Sequence, residues 1–218
     1  MKLYIAIGGA LLVLLVVACV VPVILASGPP AQPTQWQEVE TATKQLTLEV
    51  PANWRFSTAG SESLSEWARV QGGKLSRVTI HGSHITGAMG DITSSFERMG
   101  SGMMDMAGAE GVYREPDVSE SGEGQLHALL GRVAAKEDKH FQDLGKMEAC
   151  EFGGRQAARS DYTTRRRVGF LTVNVRGRRI TAPAGDLAYD VRAECPEKHW
   201  DNFEPIADRI LKSVDSQR

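Results

Sequence analysis

The sequence predicts an α+β domain, an antiparallel β-sheet with flanking helices, preceded by one hydrophobic N-terminal segment. Three observations indicate this class. Several short runs alternate apolar and polar residues with the period of a strand, a glycine pair joins two neighbouring runs, and the apolar residues of the last segment recur with the period of a helix. Strands grouped together with helices around them are typical of α+β domains.

The N-terminal segment runs without a charged residue from Leu3 to Ala26. In a helix, about 24 residues span roughly 36 Å, which is enough to cross a hydrocarbon core of about 30 Å. Lys2 is the one charged side chain before the run, so the positive-inside bias keeps the N-terminus in the cytoplasm. We therefore expect residues 1–26 to be a membrane anchor or signal, and the C-terminal domain to be periplasmic or extracellular.

This segment has three alternative fates. A retained transmembrane helix, or signal anchor, is favoured because the apolar run is longer than the core of a signal peptide. Val16 to Cys19 also resembles a lipoprotein processing box, which makes Cys19 a lipidation candidate. Type I cleavage is disfavoured because Pro29 follows the small residues Ala26 and Gly28. An unmodified Cys19 would be a small apolar residue of the membrane helix.

Beyond the anchor, composition predicts a linker and one domain. Residues 27–43 are rich in Pro and Gln, which favours an extended spacer, and residues 44–218 suit one extracytoplasmic domain. The net charge of −2 argues against a nucleic-acid partner. Because an oxidising compartment favours disulfides, we expect Cys150 and Cys195 to be bonded to each other.

The first strands follow from alternation. In "KQLTLEVPANW", Leu46, Leu48 and Val50 face one side, and Pro51 ends the strand. A weaker alternation in "KLSRVTIHGSHI" predicts a second strand. Four further strand-like runs are "MEACEF", "QAARSDYT", "GFLTVNV" and "LAYDVRAEC". Gly153 and Gly154 join the first two of these runs, which predicts an antiparallel hairpin.

Three helices are expected. The first begins at Asp91 or Thr93 and runs to about Met106. An acidic, glycine-containing connection then leads to "LHALLGRVAAKEDKHFQDL", which has a helical period and ends at Gly145. The last helix, "NFEPIADRILKSV", has one apolar stripe and accommodates Pro205 only in its first turn.

The order of these elements resembles the PsbP-like proteins, a family that includes the PsbP subunits of photosystem II and bacterial DcrB-type exported proteins. The residues that carry the resemblance are Pro-x-x-Trp at Pro51 to Trp54, the Gly153 hairpin, Tyr189 in its strand and the closing helix. The resemblance covers about residues 44–214. It implies a PsbP-like fold with Trp54 and Tyr189 in the core, and a non-catalytic accessory module that docks on another molecule. The chain departs from the pattern in having two central helices, of which the second follows the acidic loop.

Motifs of catalysis and of cofactor binding are absent from the sequence. No GxSxG nucleophile turn and no phosphate-binding glycine loop followed by Lys-Ser/Thr occurs. Glu137 and Asp138 are adjacent on a predicted helix and so point in different directions. We expect neither enzyme activity nor a cofactor.

An alternative function is a small envelope enzyme or a copper carrier. It would use His81 and His84, or the methionine cluster between Met99 and Met106. The two histidines are three apart on a predicted strand and face opposite sides, and methionines at helical spacing equally suit a core. We therefore predict no metal site.

The most informative polar feature is a run of arginines. Eight lie between Gly153 and Ile180, against one acid, Asp161. Six form two clusters at the ends of one predicted strand: Arg165, Arg166, Arg167, Arg176, Arg178 and Arg179. They indicate either a charged face that keeps a sheet edge soluble or a surface that binds anionic lipid, wall polymer or an acidic protein partner. We expect a membrane-anchored binding module that uses this Arg-rich hairpin.

Overall fold

The computed structural model describes residues 28–61, 65–84, 118–185 and 187–216. These residues form eleven strands, two α-helices and two short 3-10 turns. The strands are β1 Trp36–Glu40, β2 Leu46–Pro51, β3 Arg55–Ser61, β4 Ser65–Gln71, β5 Arg77–His84, β6 Gln142–Asp143, β7 Glu148–Phe152, β8 Arg155–Val168, β9 Leu171–Ala184, β10 Leu187–Pro196 and β11 Asp215–Ser216. The helices are α1 Gly122–Glu137 and α2 Trp200–Lys212, and the 3-10 turns are Val118–Glu120 and Glu197–His199.

The strands form two antiparallel sheets. The small sheet has the order β1-β2-β11, and the large sheet has the order β3-β4-β5-β10-β9-β8-β6, with β7 also paired to β8. All described strand pairs are antiparallel. The chain is thus a mostly antiparallel β-domain with two described helices, in agreement with the α+β class that the sequence predicts.

The hydrophobic core lies on one face of the large sheet. Ile80, Val191 and Ile180 are cross-strand neighbours on this face and are buried. Leu48 of the small sheet and Phe203 of α2 belong to the same buried cluster. The small sheet and α2 therefore cover one face of the large sheet, while α1 lies across β8 and β9 on the opposite face.

Several predictions from the sequence are confirmed. Trp54 and Tyr189 are each 4% exposed and belong to the core. The four consecutive strand-like runs are β7 to β10. Gly153 and Gly154 have φ angles of 58° and 72°, the left-handed conformation that a two-residue turn between β7 and β8 requires.

The folded unit begins earlier than the predicted boundary at residue 44. Trp36–Glu40, within the segment predicted as linker, pairs with β2 as an edge strand. Upstream of it, the Ala31 backbone N–H donates to the Gly72 carbonyl, and the Trp54 indole N–H donates to the Ala31 carbonyl at 2.7 Å. The proline-rich composition gave no sign of these contacts, because Ala31 makes them with its backbone N–H and carbonyl and not with an apolar side-chain pattern.

The ends of both described helices differ from the predictions. Helix α1 ends at Glu137 rather than near Gly145, because Asp138 turns the chain and residues 142–143 pair with β8. Helix α2 begins at Trp200, which places Pro205 in its second turn, where its missing N–H leaves one helical hydrogen bond unmade. The predicted helix between Asp91 and Met106 lies outside the described residues.

The predicted disulfide is wrong, because Cys150 and Cys195 are both free thiols. Cys150 is on β7 and Cys195 is on β10, so β8 and β9 lie between them. Three strand spacings amount to roughly 14 Å, well beyond the Cα separation of a disulfide. Burial raises the pKa of Cys150 to about 11 and that of Cys195 to about 12, which favours the protonated thiol at neutral pH.

The predicted anchor of residues 1–26, with Cys19, lies outside the described part of the chain. Among the described residues, no helix has the length and hydropathy that a membrane span requires.

Candidate functional site

The arginines of β8 point alternately to the two faces of the large sheet. Arg165 and Arg167 share one face and are exposed. Arg166 points to the other face, where its side chain is 28% exposed. Because side chains alternate along a strand, Arg165 and Arg167 of the predicted cluster are exposed, whereas Arg166 is half-buried and ion-paired within the domain.

Arg166 belongs to a buried ionic network. The carboxylate of Glu194, with a side chain 4% exposed, accepts from Arg166 at 2.8 Å and from Arg77 at 2.7 Å. The hydroxyl of Tyr162 also donates to Glu194 at 2.7 Å, and Arg166 bridges onward to Asp138. Burial by itself would raise the pKa of Glu194, but the charges of Arg77 and Arg166 outweigh it and hold the pKa below its ordinary value.

The second predicted cluster lies in the middle of β9 and is engaged as well. Arg178 pairs with Asp161 at 2.9 Å, with Glu204 at 2.6 Å and with Asp208 at 2.7 Å. Arg176 pairs with Asp161 at 3.0 Å and lies over the Trp200 ring. These contacts neutralise both arginines, so neither forms the free anion-binding surface that the sequence suggested.

Arg179 is fully buried. It donates to the His127 carbonyl at 2.6 Å, next to an imidazole that contacts Thr181 and Ser160, each at 2.9 Å. Burial and the neighbouring Arg179 lower the pKa of His127 to about 3, so the imidazole is neutral. Gly131 on α1 permits this approach, because a Cβ there would lie 2.7 Å from the Arg179 guanidinium.

The exposed arginines belong to a projecting structure. Strand β10 ends at Pro196, opposite Val175, and β6 pairs with β8 only as far as Thr163. Residues 165–168 and 171–174 consequently pair only with each other among the described strands. We call residues 165–174 the hairpin tip; its two strands extend roughly 13 Å beyond the paired parts of β6 and β10. On the α1 face of the tip, Val168 is buried and Arg166 is ion-paired, so the exposed part of the tip is its apex and its other face.

Two large apolar side chains lie at the apex of the hairpin tip. Gly169 has a φ of 62°, which suits a two-residue turn with glycine at its first position and leaves Phe170 at the second. Phe170 is 64% exposed and Leu171 is 47% exposed. With Arg165 and Arg167 behind them, the tip combines an apolar apex with two cations. The strand predicted over "GFLTVNV" is correct from Leu171 onward, but Phe170 lies in the turn. A glycine before two large apolar residues was a sequence signal for this apex.

Two clefts adjoin β8 and β9. The first, of about 270 Å³, is lined by Arg159, Arg176 and Arg178, and each of these is paired with a carboxylate. The second, which we call the tip cleft, has a volume of about 580 Å³ and lies at the base of the hairpin tip. Its lining is Lys139, His140, Phe141, Gln142, Thr163, Thr164, Arg165, Asn174 and Glu197.

The candidate metal ligands are not brought together in the described part of the chain. His81 is exposed on β5, and the side chain of His84 and the methionines from Met99 to Met106 lie outside the described residues. Within the described ranges, no group of three His, Cys, Asp or Glu residues could hold a metal ion.

Comparison with known proteins gives likeness at the level of the fold. No protein-family model and no curated protein matches the sequence. The chain is similar to the solved PsbP of the cyanobacterium Synechocystis, at 12% identity and a TM-score of 0.49, over 88% of this chain and 99% of that one. It is also similar to LpqN, involved in cell envelope biogenesis of Mycobacterium tuberculosis, at 14% identity and a TM-score of 0.43, over 87% and 99%.

A protein of unknown function from Pseudomonas aeruginosa is similar at 9% identity and a TM-score of 0.39, over 84% of this chain and 99% of that one. The PsbP-like resemblance is thus seen again at the fold level. At these identities and scores it says nothing about function.

Proposed function

We propose that this domain is a non-catalytic binding module of the cell envelope that docks on the anionic lipid of its own membrane through the hairpin tip. The observation that carries the proposal is the position of the tip relative to the N-terminal part of the chain. Ala31 is hydrogen bonded to Gly72, which lies in the turn between β4 and β5.

That turn lies at the end of the large sheet from which the hairpin tip projects. Register fixes this arrangement: Arg77, at the start of β5, is opposite Glu194, and Glu194 is opposite Gly177. Gly177 is six residues after Leu171, where β9 begins next to the apex. The chain therefore enters the fold and projects its tip at the same end of the sheet.

The membrane in this proposal is the one that the predicted anchor spans. The anchor ends at about residue 26, which is about five Cα–Cα steps before Ala31, and these steps reach at most roughly 17 Å. A domain tethered this closely would have its hairpin tip within reach of the outer leaflet. The apolar apex would then reach the acyl chains, and Arg165 and Arg167 would lie at the level of the anionic headgroups.

Vesicle binding tests this proposal with residues 28–218, the fragment that contains every described helix and strand. We expect it to bind phosphatidylglycerol vesicles, with an affinity that falls as ionic strength rises, and not phosphatidylcholine vesicles. Replacing Arg165 and Arg167 with Gln should weaken binding about thirtyfold, since each cation near an anionic surface contributes about 1 kcal/mol.

The control removes two charges at the opposite end of the sheet, by Lys44→Asn and Lys212→Gln. Both lysines are exposed. Lys44 lies just before the end of β2 that pairs with β11, and Lys212 is the last residue of α2, just before β11. Strand β11 in turn contacts the β7–β8 turn through Ser216. The control variant should bind like the wild type. Equal binding of the wild type to neutral and anionic vesicles would contradict the proposal.

A further inference from the structure

We propose that the tip cleft binds a phosphate group that carries a polyol, namely the headgroup of a glycerophospholipid. This inference rests on the proposed membrane docking and names the part of the lipid that the protein recognises. Three basic residues line the cleft, Lys139, His140 and Arg165, against one acid, Glu197. The cleft therefore has an excess of donors and cations for an anion.

The cations of the tip cleft are available, unlike those of the other cleft on β8 and β9. No hydrogen bond or ion pair joins the side chains of Lys139 and Arg165 to any described residue. Arg159, Arg176 and Arg178 in the neighbouring cleft each pair with a carboxylate within 3.0 Å. A phosphate would have to displace those carboxylates, whereas the tip cleft offers its donors directly. Charge-assisted bonds from Arg and Lys are the usual means of holding phosphate.

The remaining polar groups suit hydroxyls. Gln142, Thr163 and Asn174 line the same cleft, and their amides and hydroxyl can donate and accept. Glu197 is acceptor-only when ionised, so it repels a bare phosphate but accepts from the hydroxyl of a polyol. The lining thus fits a polyol phosphate better than inorganic phosphate.

The walls of the cleft are held by the fold. Residues 142 and 143 pair with Thr163 and Tyr162 on β8, and the Phe141 ring stacks on Tyr162 with centroids 4.8 Å apart. The Phe141 backbone N–H donates to the Asp138 carbonyl at 2.9 Å. A preformed site loses little conformational freedom on binding. Because Arg165 belongs to both the tip and the cleft, a bound headgroup would lie where the tip meets the lipid surface.

Calorimetric titration of the full chain in a nonionic detergent tests the site. The probes are glycerophosphoglycerol, which is phosphatidylglycerol without its two acyl chains, inorganic phosphate and glycerol. We expect saturable binding of glycerophosphoglycerol, binding of inorganic phosphate at least fivefold weaker, and none of glycerol. Lys139→Gln combined with Arg165→Gln should weaken glycerophosphoglycerol binding at least tenfold, whereas Lys44→Asn with Lys212→Gln should leave it unchanged.

Two further variants test the cleft lining and separate the cleft from the tip. Glu197→Gln should reduce the ratio of the affinity for glycerophosphoglycerol to that for inorganic phosphate, since it removes the repulsion between the Glu197 carboxylate and inorganic phosphate. Phe170→Ser with Leu171→Ser should abolish vesicle binding but retain titration by glycerophosphoglycerol. If vesicles bind the wild-type fragment and glycerophosphoglycerol does not bind the full chain, the cleft proposal is overturned and membrane docking stands. Equal affinity for inorganic phosphate would overturn the headgroup assignment.

Discussion

Replacing Arg166 with Gln should lower the free energy of unfolding by about 2 to 4 kcal/mol, because it removes one of the two cations that neutralise Glu194. The Glu194 side chain is 4% exposed, so water cannot take the place of the lost partner. Asp138, which also pairs with Arg166, loses its contact as well. Arg165→Gln is the matched control: it removes the same charge one position away, from an exposed side chain, and should change stability by less than about 0.5 kcal/mol.

The effect of Arg166→Gln should depend on pH. The folded-state pKa of Glu194 is held below its ordinary value of 4.5, so this carboxylate contributes stability that is present above pH 4.5 and is lost as the pH falls through its folded pKa. Once Glu194 is protonated it no longer needs a cation. The difference between the wild type and Arg166→Gln in urea unfolding should therefore be largest at pH 7 and shrink below pH 4.5. A difference that stays constant with pH would contradict the role of Arg166 as partner of Glu194.

Replacing Arg178 with Gln should cost about 2 to 3 kcal/mol, between the values for surface and for buried ion pairs. Its side chain is 11% exposed and links β8 to α2 through Asp161, Glu204 and Asp208. Without Arg178, Glu204 and Asp208 are like charges four residues apart on one helix, which destabilises it further. Partial exposure of these carboxylates, 36% and 29%, keeps the cost below that of a fully buried pair.

The control for Arg178 is Arg159→Gln. Arg159 pairs with Glu148 at 2.7 Å, but both side chains are more than a third exposed, so the loss should be under about 1 kcal/mol. Thermal or urea unfolding measures both variants. Equal losses for Arg159→Gln and Arg178→Gln would mean that the three-carboxylate cluster contributes no more than a surface pair.

The fold class and strands β2, β5 and β7 to β10 were predictable from sequence because these strands alternate apolar and polar residues, whereas β3 and β4 were not predicted. Leu46, Leu48 and Val50 are all buried at 1% exposure or less, and the β7–β8 hairpin lies at its glycine pair. Strand β1 was missed because it follows a proline-rich stretch and has few apolar residues. The end of α1 was missed because Asp138 stops it through contacts to Thr164 and Arg166, which are distant in sequence.

The candidate site was only partly predictable. Counting acids between Gly153 and Ile180 suggested unpaired arginines, yet the carboxylates that neutralise Arg166 and Arg178 come mainly from other elements: Asp138, Glu194, Glu204 and Asp208. Pairing between distant elements is not visible in local composition. Of the predicted Arg-rich hairpin, Arg165 and Arg167 remain exposed. Gly169 before Phe170 and Leu171 is a sequence signal for the apolar apex, but the extension of the hairpin beyond β10 follows only from the register of β8, β9 and β10.

The depth of the hairpin tip in a bilayer tests the proposed docking most directly. A spin label at Phe170→Cys in the fragment 28–218, compared with one at Lys212→Cys, reports whether each position meets lipid or water. The native thiols should react with the label more slowly than an exposed cysteine, since burial raises their pKa to about 11 for Cys150 and about 12 for Cys195.

With phosphatidylglycerol vesicles, the label at position 170 should become accessible to oxygen and protected from an aqueous nickel chelate, while the label at 212 stays aqueous. If the label at position 170 remains as exposed to the nickel chelate as the one at 212, the hairpin tip does not enter the membrane, and the proposed docking is wrong.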